Sequence, residues 1–250
     1  MSDMNELSSG EFYDNYWLTS PDFSAQNPSS IFRREWVVSW SRKLPWKTHL
    51  DVGCGNGLLI SCIHQACNGA GHHTGIDVSP KVIERNQKAL PQHRFMVKDI
   101  SHDALDGSFD LVTCLEVLEH LPVESAEQAV STLAASCSEG GHLLITVPTG
   151  KIHATERAFG HIRHFNLEDL KGLFLRHGVH AVSAHQWGWP FHDLSRELAN
   201  IHPQGSLRTF ASDKPSPLSS SIFSLWTRLN RFNSHRKGQQ LLFVGRKTGG

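Results

Sequence analysis

The residues best placed to do chemistry stand at 48–57, Thr-His-Leu-Asp-Val-Gly-Cys-Gly-Asn-Gly. An apolar strand closes on an acid, Asp51, and runs into glycines at every second position, Gly53, Gly55 and Gly57. Glycine accepts positive φ and carries no Cβ, so such a turn can bring backbone N–H groups against a ligand. The helix predicted to begin near Leu58 points the positive end of its dipole at the same spot. One strand later, Gly-Ile-Asp-Val-Ser closes on Asp77, 20 residues beyond Gly57. At that separation an acid reaches the ribose hydroxyls in dinucleotide folds, and a carboxylate can accept from both hydroxyls of a vicinal diol. A third unit, Lys-Asp-Ile, sets Asp99 beside apolar Ile100. That pair can accept from an adenine amine and cover a ring face, with Val78 alongside. Three acids at successive strand ends converge on the carboxyl edge of one sheet, where open α/β folds bind ligands. This is a cradle for a nucleotide-type cofactor.

Nicotinamide and flavin folds use a related turn, but two details differ. The third glycine follows the second after two residues, leaving Leu58 where a dinucleotide fingerprint has glycine. Asp51 would also repel a pyrophosphate, yet it suits a ligand bearing an ammonium and a sulfonium, as S-adenosylmethionine does. Two more motifs follow, Phe-Asp-Leu-Val-Thr-Cys-Leu-Glu-Val-Leu-Glu-His-Leu and Gly-Gly-His-Leu-Leu-Ile-Thr-Val-Pro. On these motifs the chain resembles the class I S-adenosylmethionine-dependent methyltransferases, and among them small-molecule O-methyltransferases of the ubiquinone-biosynthesis type. The resemblance implies S-adenosylmethionine as cofactor and S-adenosylhomocysteine as product. Asp51 and the backbone at Gly53, Gly55 and Gly57 would hold the methionine part, Asp77 the ribose, and Val78, Asp99 and Ile100 the adenine. Leu115 and Glu116 would lie beside the methionine end.

Methyl transfer from a sulfonium is an in-line displacement in which charge is neutralised, so alignment and exclusion of water matter most. A general base is needed when the acceptor is a hydroxyl. Two histidines are candidates. His120 follows Glu119 beyond the fourth strand and has an ordinary pKa suited to proton transfer near neutrality. His164 stands with His161 and Arg163 just before Asn-Leu-Glu-Asp, a helix start with Asn166 as cap. His164 is the leading choice for the base. A rival arrangement uses Glu116, Glu119, His120 and His164 to hold a divalent metal against a vicinal diol, as in RNA 3′-terminal ribose 2′-O-methyltransferases. The preferred reading needs no metal. A non-catalytic cofactor-binding scaffold is the third possibility. The remaining histidines among the 17, such as His64, His93, His180 and His185, are read as scattered packing or solvated residues. Arg33 and Arg34 are placed to reach the cofactor's carboxylate, and Tyr13 or Tyr16 to close over it.

Strand and helix patterns alternate behind these residues. Strands are predicted near 48–52, 73–77, 93–98, 109–115, 142–147, 179–187 and 239–246, with helices near 31–44, 57–68, 80–89, 124–137 and 167–177. Such alternation gives crossover connections and a mainly parallel sheet with helices on both faces. The resemblance adds a strand order, 3-2-1-4-5-7-6, with the last strand antiparallel. The divisions are an N-terminal arm over 1–45, a cofactor-binding core over 46–187, an insertion over 188–237, and a last strand with tail over 238–250. The insertion holds Trp-Gly-Trp-Pro-Phe-His, a helical Arg-Glu-Leu-Ala-Asn-Ile and a Ser/Pro-rich stretch. A segment that long at a ligand edge reads as a substrate cover. Its rivals are a disordered insertion and a dimer or membrane-surface contact through Trp226, Leu229 and Phe232.

The 24 acidic and 24 basic residues balance, which argues against nucleic acid as partner. The expected partner is a small-molecule acceptor, a secondary metabolite, quinone, lipid or glycan precursor, met by a monomer or homodimer. No apolar run approaches the ~20 residues that cross a bilayer. The polar start is unlike a signal peptide, and five cysteines without a CxxC pair suggest a reducing, cytoplasmic setting.

Overall fold

The computed structural model describes Asp14, residues 23–210 and residues 217–248. Seven strands form one sheet: β1 (Thr48–Val52), β2 (His72–Asp77), β3 (Arg94–Val97), β4 (Phe109–Leu115), β5 (Cys137–Pro148), β6 (Val179–Trp187) and β7 (Gln240–Lys247). Their order is β3-β2-β1-β4-β5-β7-β6, with β7 antiparallel to both neighbours and the other pairs parallel. This is the order and polarity that the family resemblance implied.

The central strands are apolar on both sides because helices cover both sheet faces. Leu143, Ile145 and Val147 of β5 pack with Val112 and Cys114 of β4 under two helices, α5 (Val123–Ser136) and α7 (Leu167–Arg176). Leu111 and Leu144 face the other way, under α2 (Pro28–Ser41) and α3 (Leu58–Ala66). Helix α2 is anchored by Phe32 stacked on Trp187, ring centroids 3.6 Å apart and 5° from parallel. Its start is fixed by Asn27, whose Oδ1 accepts from the backbone N–H groups of Ser29 and Ser30, with Pro28 at the first helical position. The helix therefore begins three residues before the apolar periodicity that predicted it. Helix α4 (Pro80–Ala89) starts at the Ser79 cap, one residue beyond Val78.

Two regions depart from the sequence reading. Strand β5 begins at Cys137, directly after α5 ends at Ser136, and its first residue pairs with Phe109 before a register irregularity. Residues 188–237 are largely helical where described: α8 (Phe191–Ile201), α9 (Pro203–Phe210) and α10 (Pro217–Asn230). A single helical turn, α1 (Phe23–Gln26), precedes α2, and a short α6 (Ala154–Ala158) follows β5. Tyr13 and Tyr16 lie outside the described residues. Among the described residues no helix is long and apolar enough to cross a membrane.

Candidate active site

A cavity of about 750 Å³ opens at the carboxyl edge of the sheet, a volume in the range of small-molecule sites. Its walls include Asp51, Gly53, Gly55, Asp77, Val78, Asp99, Ile100, Leu115, Glu116 and His120, so most of the residues singled out from sequence meet in one place. Gly57 and His164 are not among the walls.

Asp51 is 3% exposed, and its Oδ1 accepts a 2.6 Å hydrogen bond from the Thr113 hydroxyl on β4. Burial pushes its pKa up to about 7, against the Thr113 bond and with help from neighbouring Asp77. Burial raises Asp77 as well, although its two oxygens accept from the backbone N–H groups of Gly55 and Ser79 at 2.9 and 3.0 Å. Two buried acids side by side form an environment short of positive charge. An anionic pyrophosphate would worsen it, and an ammonium would relieve it. By charge, the wall fits S-adenosylmethionine.

The glycine turn works differently from the expected cradle of N–H donors. Gly53 and Cys54 both donate to the Ile76 carbonyl at 2.9 Å, Gly55 donates to Asp77, and Gly57 donates to the Cys54 carbonyl. These amides close the turn onto β2 and are not free for a phosphate. The glycines are required for another reason. Gly53 has φ +69°, and a Cβ there would stand 2.4 Å from Val117 Cγ2. Gly57, at φ +71°, sits against Leu90 and caps α3 outside the cavity.

Asp99 also turns inward. Its carboxylate accepts from the backbone N–H and hydroxyl of Ser101 at 2.9 and 2.5 Å, and contacts His102 Nδ1 at 3.3 Å. Burial would raise its pKa, but these bonds outweigh it and the net shift is downward. Ile100 stands beside it, buried. The N-terminal arm reaches this side through Asp14, which accepts from the Ser79 hydroxyl at 2.5 Å and lies 3.5 Å from Lys81 Nζ.

Glu116 occupies the left-handed region at φ +56°, strained for a side chain with Cβ. Its Oε1 accepts from Thr146 Oγ1 and Gln240 Nε2, each at 2.8 Å, and its Oε2 lies 3.6 Å from Arg33 Nη1. The carboxylate thus ties β4 to β5, β7 and α2. Arg33, expected to await the cofactor's carboxylate, already pairs here, while Arg34 donates to the Ala25 carbonyl at 3.2 Å; both line the cavity.

At the other end lie the histidines. His120 and His161 have ring centroids 4.8 Å apart, and His161 Nδ1 is 3.3 Å from His164 Nε2. His164 Nδ1 lies 3.1 Å from the Gly150 carbonyl. A carbonyl only accepts, so His164 carries its proton on Nδ1 and leaves Nε2 to accept from His161 Nδ1–H. His161 Nε2 then bears a lone pair. His161 is therefore the cavity residue, and His164, the leading choice from sequence, stands behind it. Burial, with His120 and His164 adding to it, pushes the His161 pKa down to about 2, and burial lowers His120 too. Both rings are neutral at working pH. Glu119 is fully buried, and among the described residues neither of its carboxylate oxygens has a hydrogen-bond partner. Burial, with Glu116 nearby, raises its pKa well above the usual range.

The insertion supplies the remaining wall. His192, Ser195, Arg196, Ala199 and Asn200 of α8 line the cavity. Arg196 pairs with Glu156 and donates to the Gln239 carbonyl at 3.0 Å, while Asn200 Oδ1 accepts from the Thr155 N–H at 3.0 Å. Neither His161 nor the α8 residues were selected from sequence. The signals available were the three-residue spacing of His161 and His164 and the helical Arg-Glu-Leu-Ala-Asn.

The chain is similar to known proteins. The methyltransferase domain family model matches residues 23–194. A ubiquinone biosynthesis O-methyltransferase from Dechloromonas aromatica (strain RCB) is 32% identical over 145 residues, 55% of this chain and 59% of that protein. One from Aromatoleum aromaticum (strain DSM 19018 / LMG 30748 / EbN1) is 34% identical over 133 residues, 50% of this chain and 52% of that protein. The chain spans little more than half the length of these curated relatives. Among solved structures, the N-methyltransferase NodS from Bradyrhizobium japonicum WM9 in complex with S-adenosyl-L-homocysteine has a TM-score of 0.57 at 18% identity, covering 89% of each chain. The magnesium protoporphyrin IX methyltransferase ChlM from Synechocystis PCC 6803 with bound SAH has a TM-score of 0.53 at 17% identity, covering 86% of this chain and 82% of that one. At such identities these structures speak for the fold. With the family model spanning well over half of its residues, the chain belongs to the methyltransferase domain family, in its S-adenosylmethionine-dependent, Rossmann-like class.

Proposed function

We propose that the chain moves the methyl group of S-adenosylmethionine to a hydroxyl oxygen of a small or medium-sized acceptor. The observation that carries this reading is one cavity with two unlike ends: buried acids short of countercharge at Asp51 and Asp77, and neutral imidazoles at His120 and His161. Asp51 takes the ammonium, Asp77 the ribose hydroxyls, and Val78 with Ile100 the adenine faces. The donor supplies an electrophilic methyl group. Around it the protein aligns the acceptor and keeps water out. His161 Nε2 takes the hydroxyl proton as the O–CH3 bond forms and the C–S bond breaks, when the oxygen turns oxonium-like and acidic enough for so weak a base, with His164 fixing its tautomer through the Gly150 carbonyl. Helix α8 covers the acceptor. Oxygen is favoured over nitrogen by the names of the curated relatives, which also point to a quinone precursor as the acceptor class.

Calorimetry with S-adenosylhomocysteine, followed by turnover of hydroxylated aromatic acceptors, tests the proposal. Saturable binding lost in Asp77→Ala, with methyl appearing on oxygen, supports it. No binding by the wild type rejects it.

A second reading has an observation of its own. Ligand atoms of Glu119, His120 and His161 lie within 4.8 Å of one another, and so do those of Glu156, His161 and His164. A divalent cation there would satisfy the unpartnered Glu119 carboxylate and polarise an acceptor diol. Glu116, included in the metal set read from sequence, is instead held by Thr146, Gln240 and Arg33. Activity lost to chelator and restored by a divalent ion would favour this reading; indifference to chelator would remove it.

A further inference from the structure

Four buried polar side chains form one line across the otherwise apolar sheet. The register pairs Asp51 with Thr113 and His49 with His73. Thr113 Oγ1 lies 2.6 Å from Asp51 Oδ1 and 2.9 Å from His49 Nε2, and His49 Nδ1 lies 3.0 Å from His73 Nδ1. His73 begins near the amino edge of β2, opposite the cavity. Its Nε2 is buried and, among the described residues, has no hydrogen-bond partner. Around it stand the partly exposed rings of His64 and His93, at 5.5 and 4.9 Å between centroids. Buried polar groups in a strand are costly unless they are joined up, and these are joined from the cavity to the far edge.

We propose that His73, His49 and Thr113 are positioning residues that carry the proton of Asp51 away from the ligand cavity, so that Asp51 meets the donor's ammonium ionised. This rests on the assignment of Asp51 to that ammonium. While Asp51 is protonated its bond to Thr113 runs the other way: Asp51 O–H donates to Thr113, Thr113 O–H to His49 Nε2, His49 Nδ1–H to His73 Nδ1, and His73 Nε2–H faces the rings of His64 and His93. Each hydrogen then moves one place along. Thr113 comes to donate to Asp51, His49 Nε2–H to Thr113 and His73 Nδ1–H to His49, and the proton on His73 Nε2 passes to the partly exposed imidazole of His93 or His64 and from there to water. One proton is released, one carboxylate is formed, and no imidazolium remains. A docked ligand covers the direct exit, which gives the rear path its use.

The groups that bear on the chain are few. Asp77 and the thiols of Cys54 and Cys114 face Asp51. His73 and His93 face His49, and His64, His72 and His93 face His73. Burial, reinforced by the neighbouring imidazoles, holds His49 well below its usual pKa and His73 down to about 4. Both rings are therefore neutral and able to accept and donate at once.

The test uses the full chain and S-adenosylhomocysteine, with calorimetry in buffers of different ionisation enthalpy and a pH-indicator stopped-flow trace. Wild type should release a fraction of a proton per ligand that approaches one below pH ~7. Thr113→Val should move the pH midpoint of affinity up by about one unit, an approximately fivefold loss at pH 7, and Thr113→Ser should restore it. His49→Gln keeps a donor for Thr113 and an acceptor for His73 but cannot pass a proton. Its midpoint should stay put while proton release slows several-fold, and His73→Gln should do the same if position 49 does not tolerate change. The relay is overturned if release in the glutamine variants keeps pace with wild type, or if Thr113→Val leaves the midpoint in place while Asp51→Asn still weakens binding. Failure of the donor-site assignment looks different: no ligand binding by wild type, or binding indifferent to Asp51→Asn.

Discussion

The proposed donor end of the cavity and its proposed acceptor end are built in different ways. At the donor end, Asp51 and Asp77 stand at the ends of adjacent parallel strands, placed by strand pairing and by local bonds to Thr113, Gly55 and Ser79. At the acceptor end, His120 comes from a 3₁₀ turn, His161 from the connection after β5, and Arg196 from the insertion. Three separate stretches meet there through side-chain bonds such as Arg196–Glu156 and Asn200–Thr155. Ligand affinity and chemistry should therefore be separable by mutation. The largest effect belongs to the donor end. Asp77→Ala removes the acceptor of two backbone bonds as well as the proposed ribose contact, and charged hydrogen bonds contribute ~1.5–3 kcal/mol each. S-adenosylhomocysteine affinity should fall by about a hundredfold or more, measured by calorimetry. An affinity within a few-fold of wild type would place the ribose elsewhere.

The complement to that variant is His161→Gln. Removing a positioned base lowers turnover by roughly 10²–10⁴-fold, so kcat should fall into that range while the KM for S-adenosylmethionine stays within about twofold. His164→Gln keeps the cavity intact but loosens the tautomer of His161, and the loss should be nearer tenfold. If His164→Gln proves worse than His161→Gln, the two roles are reversed.

The same division explains what the sequence disclosed. Strand tips are periodic and local: an apolar run, an acid, then glycine can be seen without knowing any partner, and so Asp51, Asp77 and Asp99 were found with their strand positions. The sheet order needed the family resemblance, because crossover rules do not fix it. At the acceptor end the deciding facts are tertiary. His161 and His164 are three residues apart, and only the tertiary packing puts His161 in the cavity wall and His164 against the Gly150 carbonyl, 14 residues upstream. The glycine turn misled in a smaller way. Its amides were expected to meet the ligand, but the Ile76 carbonyl, across β2, takes two of them. Of the histidines that looked scattered, His64 and His93 gather with His49 and His73 because strand starts and a helix end that are distant in sequence share the amino edge of the sheet, while His185 stands against His235.

An intermediate effect tests whether the insertion belongs to the acceptor alone. Arg196 is largely buried and bridges Glu156 and the Gln239 carbonyl. Arg196→Ala should loosen α8 over the cavity and raise the acceptor KM by roughly tenfold, the equivalent of ~1.4 kcal/mol. Affinity for S-adenosylhomocysteine should be unchanged in the same preparation. Equal losses for both ligands would mean that the two ends are not independent.

The last effect lies in stability, and it sharpens the proposed donor end. The folded pKa of Asp51, about 7, is above its ordinary 3.8. The folded state therefore holds this proton more tightly, and the stability it gives is fully present below pH ~4 and lost as pH rises through 7. Asp99 and Asp110 are shifted downward and act in the opposite sense, as do the depressed His49 and His73 when pH falls through their ordinary 6.5. A single melting curve would mix these effects, but a difference isolates one. Asp51→Asn has no proton to lose at this position, so its stability relative to wild type should rise between pH ~4 and ~7 and level off above, by at most about 4 kcal/mol. Denaturant melts at four pH values would measure it. A flat difference would mean that Asp51 is ionised throughout, and that the donor's ammonium meets a carboxylate already charged.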